Sequence, residues 1–187
     1  MWKFIISSSN KDNWYENSGN EVCFIGRSNV GKSSLLNALA NQKIAKVSSV
    51  PGKTQLINFF ENNNKNIVVD LPGYGYAKMA KHNNFKMLKM IQDYLKNRKQ
   101  LKTVFLLFDT RIGLQTIDFE TLKFLNILNH KVILVGTKID KLNQSQFSKI
   151  KKTLEQQEIS NFVLVSSKTK KNIDILNEII NNEFSEK

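Results

Sequence analysis

Apolar residues recur along this chain in two alternating rhythms. Short unbroken runs, Val22-Cys23-Phe24-Ile25, Val104 to Phe108, Val132 to Val135 and Phe162 to Val165, read as strands covered on both faces. Between them the spacing lengthens to that of helices. Leu35, Leu36 and Leu39 mark a helix over 33–40, and Phe85, Leu88, Ile91 and Leu95 mark one over 84–99. Ile173, Leu176, Ile180 and Phe184 line one side of a closing helix over 172–184. Two further strands, 54–61 and 66–70, flank the polar connection Asn62-Asn63-Asn64-Lys65-Asn66.

The alternation predicts an α/β fold of three layers, a mostly parallel sheet between two layers of helices. The 54–61 strand, hairpin-linked to its successor, is expected to be an antiparallel edge. No repeat or linker interrupts the pattern, so residues 21–187 read as a single domain. Residues 1–20 read as an N-terminal extension, in which Trp2 to Ile6 adds a short strand.

Three motifs sharpen this to the P-loop NTPase fold of the Ras-like G-domain kind. Gly26-Arg27-Ser28-Asn29-Val30-Gly31-Lys32-Ser33 satisfies GxxxxGK[ST] between a strand and a helix. Glycines let backbone N–H groups curl around a β-phosphate, and the following helix, which continues through Ser34, offers its positive N-terminus. Lys32 then reaches β- and γ-oxygens, and the Ser33 hydroxyl reaches Mg²⁺. Asp70-Leu71-Pro72-Gly73 ends an apolar strand, with Asp70 placed to hold Mg²⁺ through water and the Gly73 N–H to meet a γ-phosphate. Thr137-Lys138-Ile139-Asp140 follows the 132–135 strand. A carboxylate there accepts both N1–H and the exocyclic amine of guanine, a donor pair that adenine lacks. Val165-Ser166-Ser167 fits the loop whose backbone N–H reads guanine O6. In Pro51-Gly52-Lys53-Thr54-Gln55, Thr54 is the only threonine between the first helix and Asp70, and its hydroxyl is the candidate to complete the Mg²⁺ shell. Lys32, Thr54 and Gly73 are thus the expected catalytic set, acting on GTP with Mg²⁺.

These stretches together, GRSNVGKSSLLNAL, PGKTQLINFF, DLPGYGYAK, Asp109-Thr110-Arg111 and TKIDK, resemble the EngB family, also called YsxC or YihA. The resemblance runs from about Glu21 to the end. It implies a translation-factor-class GTPase acting in assembly of the large ribosomal subunit, with a link to septation, and nucleotide contacts at the stretches just named. Departures are small. Thr137 stands where Asn is usual, Lys53 where Arg is common and Val165 where Phe is common.

Composition bears on partners. The 28 Lys and Arg against 16 Asp and Glu give a net charge of +12, which attracts polyanions. Only Arg27, Arg98 and Arg111 are arginine, so part of the Lys/Asn bias reflects an AT-rich genome. With the resemblance, the expected partner is the large subunit, its rRNA and its proteins. No apolar run approaches the roughly 18 residues of a membrane span, and Cys23 is the single cysteine. A monomeric cytoplasmic protein without membrane contact is expected.

One position departs from the chemistry of Ras-like enzymes. Tyr74 follows Gly73 where a Gln would orient the attacking water. Slow intrinsic turnover is therefore expected, remedied either by a group from the ribosome or by K⁺ held near Asn29. Two rivals are weaker. A small-molecule kinase conflicts with the guanine-reading TKID and the lack of an acceptor-binding segment. A non-enzymatic, GTP-dependent interaction module of the division apparatus is the other.

Overall fold

Strand β2 (Glu21–Gly26) divides its apolar side chains by the two-residue period of a strand: Val22 and Phe24 fill one core, Cys23 and Ile25 the other. Strand β5 (Leu101–Asp109) does the same, with Phe105 and Leu107 opposite Val104, Leu106 and Phe108. Central strands that are apolar on both faces need helices on both. The computed structural model describes residues 1–45, 56–75 and 81–185. Helices α1 (Lys32–Ala40) and α5 (Ile173–Ser185) cover the first face through Leu35, Leu36, Leu39, Leu176 and Ile180. Helices α2 (Lys81–Asn97), α3 (Thr116–Ile127) and α4 (Gln144–Gln156) cover the second through Met90, Ile91, Tyr94, Leu125 and Leu154. Cys23 is wholly buried, and burial pushes its thiol pKa up, as suits a small core residue.

The remaining strands are β1 (Lys3–Ser8), β3 (Ile57–Glu61), β4 (Ile67–Asp70), β6 (Lys131–Thr137) and β7 (Phe162–Leu164). The sheet order is β1-β3-β4-β2-β5-β6-β7, parallel except where β3 pairs with β4 and with β1. The three-layer α/β fold expected from the pattern is the one observed. β3 is antiparallel as expected, but the edge place belongs to β1, which pairs along it with an irregularity between Phe4 and Ile6.

Helix α2 buries the second half of the expected stripe, Ile91 and Leu95, but not the first. Met87, Met90, Ile91, Tyr94 and Leu95 face the core, whereas Phe85 is 68% exposed and Leu88 38%. At about 100° per residue, Phe85 lies roughly 120° around the helix from Ile91. Met87, Met90 and Tyr94 join Ile91 and Leu95 in the core instead. Helices α3 and α4 went unmarked by periodicity because each buries only one apolar residue fully, Leu125 and Leu154.

The N-terminal segment is tied to the start of β2. The Glu21 carboxylate, fully buried, accepts from Arg98 Nε at 2.8 Å and the Tyr94 hydroxyl at 2.8 Å, and from the Asn17 amide. The Arg98 guanidinium also donates to the Tyr15 carbonyl and lies 5.7 Å from the Trp14 ring and 5.6 Å from the Phe59 ring. One guanidinium thus joins the N-terminal segment, the sheet and the C-terminal end of α2. Removing one partner of a buried pair strands the other charge. Glu21→Ala should therefore cost about 3–5 kcal/mol of stability, read as a lower urea midpoint. Adding Arg98→Ala should cost less than the two single losses together. An unmoved midpoint for Glu21→Ala would show that the network anchors nothing.

Candidate functional site

The loop Gly26–Ser33 leaves β2 and turns into α1. Gly26 lies against β5 so closely that a Cβ would come within 2.8 Å of the Leu107 carbonyl oxygen. Gly31 takes φ 106° as the N-cap of α1, and Asn29 takes φ 64°, so the loop winds through left-handed conformations just before the helix. Lys32 opens the helix and is buried, its ammonium paired with the Asp70 carboxylate at the end of β4. Ser33 and Ser34 occupy the first turn. A helix N-terminus with a buried ammonium beside it suits a polyphosphate.

Registration of β4 against β2 places Asp70 beside Phe24 and so brings the two motifs together. Beyond β4, the Leu71 N–H donates to the Phe24 carbonyl at 3.0 Å. Leu71 and Pro72 are buried, and Gly73 packs on Ser28, where a Cβ would stand 3.1 Å from the Ser28 nitrogen. Thr54, with Gly52, Lys53 and Gln55, lies outside the described residues.

The second half of the site comes from the ends of β5, β6 and β7. Thr137 is buried, its hydroxyl 2.6 Å from the Val30 carbonyl and 3.1 Å from that of Phe108. The threonine thus ties β6 to the phosphate loop, a reason for a hydroxyl where Asn is usual. Lys138 takes φ 65°, its stem passing over Gly31, and its ammonium donates to the Asn29 carbonyl at 2.8 Å and to Asp109 at 2.9 Å. Burial pushes the Asp109 carboxyl up, but hydrogen bonds from Arg111 and Lys138 outweigh it and hold the pKa down at about 2. Asp109 therefore stays ionised and steadies Lys138. Asp140 accepts from the Ser166 hydroxyl at 2.7 Å through one carboxylate oxygen, and the residue is half-buried. Ile139 and Val165 are core residues, joined by the Ile139 N–H to the Val165 carbonyl at 3.3 Å, and they buttress the loop. The Ser166 N–H is spent on the Lys171 carbonyl, so Ser167 is the next donor along.

Tyr74 does not face this opening. Its ring is buried with the α2 and α3 side chains, and its hydroxyl donates to Asp118 at 2.9 Å. Arg27 points the same way, with Nε 3.1 Å from the same carboxylate. Burial first, and the neighbouring Asp118 charge second, drive the phenol pKa far above its ordinary value. Sequence reasoning passed over Asp118. Its one signal was a helix start, Gln115 followed three residues later by an acid that caps its N–H.

Residues 21–138 match the family of 50S ribosome-binding GTPases. The chain is 52% identical to the GTP-binding protein EngB of Mycoplasmopsis synoviae, over 98% of this chain and 100% of the relative. Among solved structures, the fold resembles a GTP-binding protein engB (TM-score 0.73, 27% identity, covering 89% of this chain and all of that one). It also resembles Era of Aquifex aeolicus bound to GDP and aluminium fluoride (TM-score 0.74, 25% identity, 89% of this chain and 57% of that one). A phosphate loop, an Asp70–Gly73 turn and an Asp140 pocket on this fold, together with that identity, mean that the chain belongs to the EngB family of GTP-binding proteins and is a GTPase.

Proposed function

We propose that this GTPase is a nucleotide-switched factor in assembly of the large ribosomal subunit, hydrolysing GTP slowly until it is docked there. The observation that carries the reading is the outer face of α2, which begins a few residues beyond Gly73. Phe85 and Leu88 are exposed there among Lys86 and Lys89, with Lys96 and Lys99 exposed further along. Loss of the γ-phosphate would take away the partner of the Gly73 N–H a few residues before this helix, so nucleotide state and basic face are close along the chain. The net charge of +12 and the match to 50S ribosome-binding GTPases support the same partner. A link to septation would then follow from translation. The protein would act as a cytoplasmic monomer.

In the nucleotide site, the backbone of Gly26 to Ser34 cradles the phosphates, and Lys32 moves from Asp70 to the β- and γ-oxygens. Ser33, Thr54 and Asp70 (through water) are the residues for Mg²⁺. The donor set fits: hydroxyls and one carboxylate are hard oxygen ligands, and no three His, Cys, Asp or Glu cluster among the described residues. A metal bound this way is held largely by phosphates and water, as Mg²⁺ prefers. When bound, it offsets charge on the phosphate oxygens. Asp140 reads guanine N1–H and the amine, the Ser167 N–H reads O6, and Lys138 lies along the base.

Slow turnover has a local cause. The Tyr74 hydroxyl and Arg27 Nε are both engaged by Asp118, so neither orients water or reaches the phosphates. A ribosomal group must supply what is missing, or K⁺ held near Asn29, which a KCl-to-NaCl exchange at equal ionic strength would reveal as a slower rate.

Asp140→Asn should weaken GTP and improve XTP binding, because an amide donor suits the 2-oxo group of xanthine. Unchanged GTP affinity would remove Asp140 from the base pocket. Lys32→Ala should weaken GTP and GDP alike by about 2–4 kcal/mol, or roughly 30- to 1,000-fold in Kd. A loss confined to one nucleotide in titration calorimetry would contradict that assignment. Purified large subunits should bind this chain better with a GTP analogue than with GDP and raise its turnover. Lys86→Glu with Lys89→Glu should weaken that binding and flatten its salt dependence, by nearly one unit of slope per lost phosphate contact, with GTP affinity intact. Subunits that show no nucleotide preference and no effect on rate would end the proposal.

A further inference from the structure

A buried carboxylate is costly unless its oxygens are fully partnered. Asp118 is fully buried, and its partners come from three separate elements. The Tyr74 hydroxyl donates from the segment after β4 at 2.9 Å, Arg27 Nε from the phosphate loop at 3.2 Å, and the Gln115 N–H from the start of α3 at 2.9 Å.

The backbone repeats the junction. The Ser28 N–H donates to the Tyr74 carbonyl at 2.9 Å, and the Tyr74 N–H to the Gly26 carbonyl at 3.2 Å. The Ser28 hydroxyl reaches the Gly73 carbonyl at 3.3 Å. Gly73 is therefore held between two fixed points, Leu71 on β2 and Tyr74 on both the phosphate loop and α3. Immediately afterwards Gly75 takes φ 76°, a conformation costly for a residue with a Cβ. The chain turns away only after Tyr74.

We propose that Asp118 is a positioning residue of the GTPase site, holding Tyr74 and through it the Gly73 N–H over the phosphate loop in readiness for a γ-phosphate. The inference rests on the assignment of Gly73 to the γ-phosphate made above. Only a triphosphate uses that N–H. A preformed Gly73 thus favours GTP over GDP by removing an ordering cost from one nucleotide alone. The tyrosine at the position of the absent glutamine has a mechanical duty: its hydroxyl fastens the γ-phosphate sensor to α3.

The test compares affinities of the full chain for GDP and for a non-hydrolysable GTP analogue, each carrying a fluorescent ribose label. Tyr74→Phe keeps the buried ring and removes the hydroxyl; Asp118→Asn keeps the shape and removes the charge. Each should lower analogue affinity by about 5- to 30-fold, part of the effect of one hydrogen bond to a charged group because the contact acts through Gly73, and move GDP affinity less than ~2-fold. The double variant should fall less than the two single losses added together, since both weaken the Tyr74–Asp118 contact. Equal losses for the two nucleotides, or an unchanged affinity ratio in Tyr74→Phe, would overturn the proposal whatever happens to thermal stability. If Asp118→Asn does not fold, Tyr74→Phe decides alone. Gly73→Ala separates this idea from the reading beneath it. An untouched analogue affinity in Gly73→Ala overturns the γ-phosphate assignment and the latch with it. Lowered analogue affinity there, with none in Tyr74→Phe, overturns the latch alone.

Discussion

The Lys32–Asp70 pair is the contact on which the rest of the site depends. An ammonium and a carboxylate, both almost fully buried, face each other where β2 and β4 end side by side. Taking two charges out of water is expensive, and mutual attraction repays it only with good geometry. The parallel register that sets Phe24 beside Asp70 fixes that geometry. A polyphosphate with its metal offers the same two charges better partners, anionic oxygens for the lysine and a cation for the aspartate. A ligand that satisfies both charges is the kind such a buried pair suits.

Charge is arranged differently at the two ends of the sheet. At the ends where β2, β4, β5 and β6 finish, the charged groups are partnered by contacts a nucleotide can replace or borrow: Lys32 with Asp70, Lys138 with Asp109, Asp140 with Ser166. Ligands gather at this end of α/β sheets in general. Where the strands begin, buried carboxylates serve stability instead. Glu21 gathers Tyr94 of α2 and Arg98 just beyond its end, and Glu183 of α5 accepts from Thr103 and pairs with Lys131 at 2.9 Å. These clamps hold the C-terminal ends of α2 and α5 against the sheet.

Chemistry set by a short contiguous spacing was legible in the sequence. Gly26 to Ser33 read as a phosphate loop because the glycines, lysine and serine lie close together, and the structure does place them in one loop and one helical turn. The alternating strands were legible because burial on both faces leaves no polar position to mislead. What escaped was long-range or weakly patterned. Asp118 lies 44 residues beyond Tyr74 and 91 beyond Arg27, on a helix whose own pattern is faint. The first half of the α2 stripe escaped because Phe85 and Leu88 are apolar yet exposed, while Ile91 and Leu95 face the core as their spacing implied. β1 took the sheet edge because backbone pairing with β3 needs only an open strand, whatever its side chains.

Tyr74 brings these strands of argument together. A glutamine after Gly73 would face water and act on the reacting phosphate. A tyrosine there instead turns inward, since its ring gains burial that a glutamine cannot and its hydroxyl finds a carboxylate already paired with Arg27. The exchange removes a group from the chemistry and adds stiffness to the sensor. Stiffness next to Gly73 favours recognising the γ-phosphate over removing it. On the proposed reading, a protein so built would dwell in its triphosphate form until a partner docked beside α2 supplied the missing group. Loss of the glutamine is thus one half of a trade whose other half is Asp118.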